Sequence, residues 1–262
     1  QKAGLKAVDL FQAVGEGKIK ALWIMATNPV ASMPDADAVK AALKACPFVV
    51  VSDISATTDT MTVADVRLPA TGWGEKDGTV TNSERRISRQ RKFLPPVGEM
   101  MPDWWIVSEV ACRMGFDKAF AYQGPDEIFA EYASLTGFEN NGSRTLDIGA
   151  HADITARAYD DLIPFQWPRR KGVPRDASRI YGNGIFSTPD GKARFVPIKA
   201  GEVSDTTGDL SFTLNTGRIR DQWHTMTRTG KSNRLAAHMA EPFVEINPAD
   251  ATRLGITDAD VV

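Results

Sequence analysis

The sequence predicts an α/β protein in which a parallel-sheet, dinucleotide-binding-like domain is followed by the start of a β-rich one, and three observations carry that reading. Two short apolar runs, Ala21 to Ala26 (ALWIMA) and Phe48 to Val51 (FVVV), flank a segment of helical periodicity. Strand, helix, strand in that order implies a parallel sheet with a right-handed crossover. Both runs end in polar loops, Thr27-Asn28-Pro29 and Ser52-Asp53. In open α/β sheets ligands bind beyond the carboxyl ends of the strands, so these loops are candidate ligand contacts. Past residue 209 the period changes and no further strand, helix, strand unit follows.

In chain order, Leu5 to Val14 places Leu5, Val8, Leu10 and Phe11 at helical spacing, with Gly15 and Gly17 as stop signals. After the first strand comes a helix capped by Ser32 or Asp35, with Val39, Leu43 and Cys46 on one face. Phe48 to Val51 is short and β-branched enough to be a strand buried on both faces. Val66 and Leu68 mark another short strand, which runs through Pro69 into a Gly-rich, charged loop ending at Arg86.

Pro95 and Pro96 punctuate the chain, and a helix begins near Asp103 with Trp104, Val107, Val110, Ala111 and Met114 as its apolar stripe and Gly115 closing it. A second helix, from about Pro125 to Thr136, turns Ile128, Phe129, Tyr132 and Leu135 inward. Glu139 to Arg179 reads as loop with one short helix at Ala156 to Leu162, and its Arg169-Arg170-Lys171 run as solvated charge. A hairpin is expected from Ile185 to Val196 around Pro189-Asp190-Gly191.

Gly201 to Asp209 has linker composition, which sets the expected boundary between an α/β domain over 1–200 and a second domain over 205–262. Leu210 to Asn215 and Phe243 to Ile246 read as strands, Pro248 to Leu254 as a short helix. Residue 1 is Gln and the chain stops at Asp260-Val261-Val262, the beginning of a strand by its pattern, so the expectation is a piece of a longer protein.

With 262 residues, 42% hydrophobic and 24% charged, the chain has ordinary globular composition and enough apolar content for a sizeable core. A net charge of -2 gives no whole-chain reason to expect nucleic acid or an anionic membrane, and no run approaches the roughly 18 apolar residues of a spanning helix. Cys46 and Cys112 read as buried reduced thiols. Lacking a CxxC motif, with only 3 histidines, the sequence does not support a zinc or iron–sulfur site built from these residues.

Asp53, at the end of the second strand, has the placement of an acidic residue that accepts hydrogen bonds from a ribose, or it caps the following turn. The GxGxxG fingerprint is absent, so an NAD-type site is not expected while a nucleotide held differently stays open. Glu75 and Lys76 read locally as surface residues. Arg85, Arg86, Arg89, Arg91 and Lys92 form a basic run too small for nucleic acid, and an internal role in pairing carboxylates or a phosphate suits it better. In TLNTGRIRDQWHTMTRTG, Thr213 to Gly230, an indole, an imidazole, hydroxyls and guanidinium groups crowd one loop and offer donors to a polar, anionic, planar ligand. General acid–base work by His224 stays open, without a partner carboxylate at a diagnostic spacing.

The segments NPVASMPD, VVVSD, ADVRLPATGWGEKDGTVTNSERR, PDWW and TGRIRDQWHTMTRTG together resemble the molybdopterin oxidoreductases that carry bis(molybdopterin guanine dinucleotide), bis-MGD. EKDGTVTNSERR and TGRIRDQWHTMTRTG point within that family towards nitrate reductases, and the resemblance is weakest from Gly142 to Arg179. It implies that the first block holds one guanine dinucleotide and that Leu210 onward begins the family's C-terminal β-barrel domain. It assigns cofactor contacts to Asn28, Ser52, Asp53, Lys76 and Asp103, and to Thr216, Gly217, Arg218, Gln222, Trp223, His224 and Thr225. Arg218 is a further candidate for balancing cofactor phosphates or attracting an anionic substrate.

The resemblance further implies a cytoplasmic, molybdenum-dependent oxidoreductase of nitrate assimilation. Oxygen-atom transfer from nitrate would yield nitrite and water, with electrons from a donor protein or domain arriving through a 4Fe–4S cluster. Neither Cys46 nor Cys112 lies in a motif that would ligate the cluster or molybdenum, so those ligands, and catalysis, are expected from the remainder of the same subunit. A sibling such as a formate dehydrogenase, and a non-catalytic nucleotide-binding α/β module, are the alternative readings. Neither nucleic acid nor membrane is an expected partner.

Overall fold

Three parallel strands and the helices that cover them form the first layer of the fold, seen here in a computed structural model that describes residues 3–174, 179–199 and 212–262. The chain divides into two units, Gln1–Ala200 and Gly201–Val262. The expected linker at 201–209 and the first residues of the expected Leu210 strand lie outside the described residues.

The first unit opens with helix α1 (Ala7–Gly15), strand β1 (Leu22–Met25), the single turn α2 (Pro29–Ser32), helix α3 (Ala36–Ala45), and strands β2 (Val49–Asp53) and β3 (Val66–Pro69). The strands pair in parallel in the order β1-β2-β3, with Leu22 opposite Val49 and Val50 opposite Val66. Asp35 starts α3 as a left-handed residue with φ 51°, its carboxylate accepting from the Ala38 amide at 3.2 Å. Val39, Leu43 and Cys46 then share the buried face and pack with Phe11, Val14, Val49 and Val51. Leu43, Val49 and Val51 are fully enclosed. Truncating a side chain so placed to Ala costs about 2–5 kcal/mol.

Helix α1 buries a different face from the expected one. Leu5 and Val8 are more than half exposed while Phe11, Ala13 and Val14 are buried. The helix starts only at Ala7, and a Cβ built at Gly15 would lie 3.4 Å from Ala42 Cβ. That close approach to α3 sets which side turns inward. Phe48 likewise sits outside its strand, half exposed.

Beyond β3 the chain forms an antiparallel sheet that the sequence reading did not contain. It comprises β4 (Gly78–Thr81), β5 (Arg86–Gln90) and β6 (Phe165–Gln166), in the order β4-β5-β6. The β4–β5 turn is closed by Asn82, whose Oδ1 accepts from the amides of Glu84 (3.1 Å) and Arg86 (3.0 Å), and Arg85 adopts φ 66° there. Helix α4 (Asp103–Ala111) passes through a π turn, Cys112–Phe116, with Gly115 at φ 90°, into α5 (Asp117–Phe120); α6 (Pro125–Gly137) and α7 (Ala156–Asp160) follow. A second core gathers Ile87, Phe129, Ala133, Ile148, Tyr159 and Phe165.

Two predicted stripes shift here. On α4, Ile106, Ser108 and Ala111 are buried while Met114 is 68% exposed. On α6, Phe129, Ala133 and Thr136 face the core, whereas Tyr132 and Leu135 lie in solvent. Small residues decide the second case: a Cβ at Gly137 would stand 3.4 Å from Gly149 Cα, so only this face lets the helix approach the Ile148 loop. The turn expected at Pro189-Asp190-Gly191 forms, with the Phe186 amide donating to Gly191 O at 2.9 Å, but its flanks are not strands. Phe195 and Ile198 are over 90% exposed, and a lone hairpin with nothing to bury against is marginal.

In the second unit the described residues form α8 (Asn233–Ala236) and α9 (Pro248–Leu254) and no strand. The expected α9 is capped as its sequence dictates, Asn247 Oδ1 accepting from the Ala249 amide at 2.9 Å and Gly255 ending it at φ 69°. Phe243 to Ile246 is not a strand, and no closed barrel is formed among the described residues. An extended segment is stabilised by a ladder partner, and none of the described residues supplies one.

Candidate functional site

Because β1, β2 and β3 run parallel, their carboxyl ends open on one edge of the sheet, and the polar residues that follow them meet there. Asn28, after β1, accepts with Oδ1 from the Thr60 amide at 3.2 Å and the Thr60 hydroxyl at 2.7 Å. Those bonds tie the first loop to the segment after β2. Among the described residues the Asn28 amide N–H groups have no hydrogen-bond partner, so they are available as donors. Ser52 is fully buried, its hydroxyl accepting from Trp23 Nε1 at 2.8 Å. Asp53 is half-buried, and its Oδ1 accepts from the Ser55 amide at 3.1 Å. The pair therefore splits: Ser52 braces the edge from within and Asp53 presents a carboxylate at it.

The third strand brings its own group. A bridge between Ala70 and Met101, with Thr71 N donating to Met101 O and Met101 N to Pro69 O at 3.1 Å each, joins the start of α4 to the end of β3. Asp103 is thereby delivered to this edge as the first residue of α4, where its charge complements the helix dipole. Lys76 Nζ lies 3.0 Å from Asp103 Oδ2, each side chain about a third exposed. Glu75 closes the intervening turn by accepting from the Gly72 amide at 2.6 Å.

The second oxygen of Asp103 and the hydroxyl of Thr71 are buried without a hydrogen-bond partner. Unmatched buried polar atoms of this kind call for an explanation, and leftover acceptors beside a cation suit a ligand that combines N–H or O–H donors with negative charge. Thr71 was not singled out from sequence. Its only signal is that it follows β3 as Ser52-Asp53 ends β2.

Arg89, central in the basic run, has the internal carboxylate-pairing role read from sequence. Its side chain is 2% exposed and pairs with Asp77 and with Asp160 (3.0 Å). It also donates to the carbonyls of Gly78, Gln90 and Tyr159 and lies 4.1 Å over the Tyr159 ring. Burial pulls its pKa down, but the hydrogen bonds to Asp77 and Asp160 leave it above the ordinary arginine value. Burial pushes the Tyr159 hydroxyl up to about 12.

In the second unit four of the predicted residues, Arg218, Gln222, Trp223 and His224, come together, while among the described residues Thr216, Gly217 and Thr225 share no hydrogen bond or ring contact with them. Gln222 is buried and accepts with Oε1 from the Thr229 hydroxyl at 2.6 Å, while that hydroxyl accepts from the Trp223 amide at 3.1 Å. Trp223 and His224 meet edge to face at 4.6 Å, and the Arg218 guanidinium lies 5.2 Å from the indole centre. Thr216, Gly217, Arg218, Trp223, His224 and Thr225 are all exposed. His224 has φ 46°, a left-handed conformation at the tip of the loop. Among the described residues of this unit the carboxylate–imidazole pair is Asp221 with His238, not a partner for His224, and its hydrogen bond raises the His238 pKa.

Two family models match separate parts of the chain. Residues 1–113 match the molybdopterin oxidoreductase family, and residues 212–262 match the "Molydopterin dinucleotide binding domain". A nitrate reductase of Klebsiella oxytoca is 51% identical over 262 residues, 100% of this chain and 30% of that protein. A nitrate reductase of Shewanella frigidimarina is 45% identical over 99% of this chain and 28% of its own length. The F420-dependent formate dehydrogenase subunit alpha of Methanocaldococcus jannaschii is 36% identical over 99% of this chain and 36% of its length. The chain thus spans about a third of each of these curated relatives. Among solved structures, acetylene hydratase from Pelobacter acetylenicus superposes with a TM-score of 0.59 over 95% of this chain and 34% of that one, at 17% identity, a likeness of fold.

Proposed function

Since the chain belongs to the molybdopterin oxidoreductase family, we propose that it is a cofactor-holding part of a nitrate reductase catalytic subunit. The observation that carries the reading is the convergence of Asn28, Asp53, Lys76 and Asp103 on the carboxyl edge of one parallel sheet, with the second oxygen of Asp103 and the Thr71 hydroxyl left unmatched. These residues fit a guanine dinucleotide: carboxylates and hydroxyl accept from base or ribose donors, Asn28 donates, and Lys76 balances phosphate charge. In this reading residues 1–200 are the family's α/β domain. Residues 205–262 are the beginning of its dinucleotide-binding domain, contributing Thr216 to Arg218 and Gln222 to Thr225.

Bound molybdenum bis-MGD would supply two-electron oxygen-atom transfer, by which nitrate with two electrons and two protons gives nitrite and water. This chain's part is to bind and orient the dinucleotide, with Ser52 and Trp23 holding the strand end that presents Asp53. The ligands of a 4Fe–4S cluster and of molybdenum come from elsewhere in the subunit. The Cys46 thiol is buried against the carbonyls of Ile19 and Phe48, the Cys112 thiol faces Phe120 O, and among the described residues no group of three or more His, Cys, Asp or Glu is placed to hold a metal ion. An electron-donor protein or domain and a cytoplasmic setting complete the proposal. No helix of the described residues is long and apolar enough to cross a membrane.

The deciding experiment takes the complete subunit from a molybdenum-replete host and measures molybdenum, GMP released on hydrolysis, and nitrate-dependent oxidation of reduced viologen. Metal, GMP and nitrite are expected together. Folded protein without molybdenum or GMP would overturn the cofactor assignment. Loaded protein that oxidises formate and leaves nitrate untouched would transfer it to the second reading, which rests on the 36% identical formate dehydrogenase subunit.

A further inference from the structure

Of the Arg169-Arg170-Lys171 run, only Lys171 is the solvated charge that its sequence suggests, exposed and 2.7 Å from Asp153. Arg169 and Arg170 are half-buried and line a pocket of about 360 Å³ between the Ala150 turn and the Leu162 to Phe165 segment. None of its lining residues is acidic. Among the described residues neither guanidinium has a hydrogen-bond or ion-pair partner, and Arg170 Nε is buried and unmatched. An arginine fork held in a concavity with no carboxylate among the described residues that line it is an incomplete pair, because its charge and its planar array of N–H donors are matched by a carboxylate.

The rest of the wall is mostly apolar. His151 and Phe165 lie ring to ring at 4.4 Å, and Leu162, Ile163, Pro164 and Val173 complete the lining. Burial, reinforced by Arg169, lowers the His151 pKa, so at neutral pH the imidazole adds surface and no charge. A cleft of this size, mostly apolar with a few convergent polar groups, has the make-up of a small-molecule site.

We propose that this pocket binds a small carboxylate with a planar apolar body, the carboxylate seated on Arg169 and Arg170 and the body against His151 and Phe165. The site is additional to the cofactor residues proposed above and does not depend on which reaction the complete enzyme performs.

The test uses benzoate as the probe and benzamide as its neutral counterpart, titrated into the complete holoenzyme by calorimetry and by saturation-transfer NMR. Benzoate is expected to bind and benzamide not. Arg170→Gln should weaken benzoate by about tenfold or more, the size expected when a hydrogen bond to a charged group is lost. Lys171→Gln should leave it unchanged. Where Arg170→Gln fails to fold, Ile163→Glu serves instead: Ile163 is 77% exposed at the rim, and a carboxylate placed there should occupy the arginines and abolish binding. Equal binding of benzoate and benzamide, absence of benzoate binding, or full affinity in the folded variant would each overturn the proposal.

Discussion

Lys76 Nζ and Asp103 Oδ2, 27 residues apart in sequence, stand 3.0 Å from each other at the carboxyl edge of the parallel sheet. Lys76 ends the turn after β3 and Asp103 opens α4. The bridge between Ala70 and Met101 brings the two segments together, so the pair is a product of topology as much as of charge.

That pair predicts a separation of stability from cofactor retention. Each side chain is about a third exposed, and ion pairs so solvated contribute roughly 0–1 kcal/mol. Lys76→Gln in the complete subunit should therefore leave the thermal midpoint within a few degrees of the parent. If Lys76 balances cofactor phosphate, molybdenum and GMP per mole of protein should fall several-fold. Full cofactor content in Lys76→Gln would remove this lysine from the site.

Arg89 predicts the opposite pattern. Its buried guanidinium holds two carboxylates and three carbonyls together with the Tyr159 ring. Arg89→Met leaves those carbonyls without their donor, while Asp77 and Asp160, both partly exposed, regain water. We expect a loss of about 2–4 kcal/mol in urea unfolding, with Arg89→Lys also destabilising because an ammonium cannot reproduce the fork. A midpoint unchanged in both variants would refute the structural role.

These two cases show what was legible beforehand. The strand, helix, strand unit could be read because Val49, Val51, Val39 and Leu43 put apolar side chains at the spacings that strands and helices bury, and the polar residues ending both strands marked the site edge. The β4–β5 hairpin was missed because its face turned to the second core carries a charged residue, Arg89, where the pattern calls for an apolar one. The stripe of α6 was misassigned because two faces are comparably apolar, and the choice rests on close approach to Gly149, a tertiary contact. Lys76 and Asp103 have no local signal. Each looks like a surface charge or a cap until the bridge to β3 is known.

Ser52 and Asp53, adjacent in sequence, are expected to respond differently. Ser52→Ala leaves the part-buried Trp23 indole N–H without its acceptor, at a cost of about 1 kcal/mol, with cofactor content of the folded fraction near that of the parent. Asp53→Asn keeps the shape and removes the charge that we propose accepts ribose or base donors. It should lower retained GMP several-fold with little change in the unfolding midpoint. Identical profiles for the two variants would mean that the strand end acts only as a structural unit.

The pH dependence of stability tests the environment of His151. Burial, with Arg169 adding to it, lowers the His151 pKa below the ordinary 6.5. The unfolded chain then binds the proton more readily than the folded one. The stabilisation from the neutral ring is present above about pH 6.5 and is lost as pH falls through the folded value. His238 acts in the other direction: the hydrogen bond to Asp221 raises its pKa, so its contribution is present at low pH and fades as pH rises. The curve of the parent protein mixes the two. Comparison with His151→Phe isolates the first, since phenylalanine keeps the packing against Phe165 and does not titrate. Unfolding midpoints measured from pH 8 to pH 5 should show the parent losing stability relative to His151→Phe below about pH 6.5. A difference that stays flat across that range would mean that the imidazole is as well solvated when folded as when unfolded.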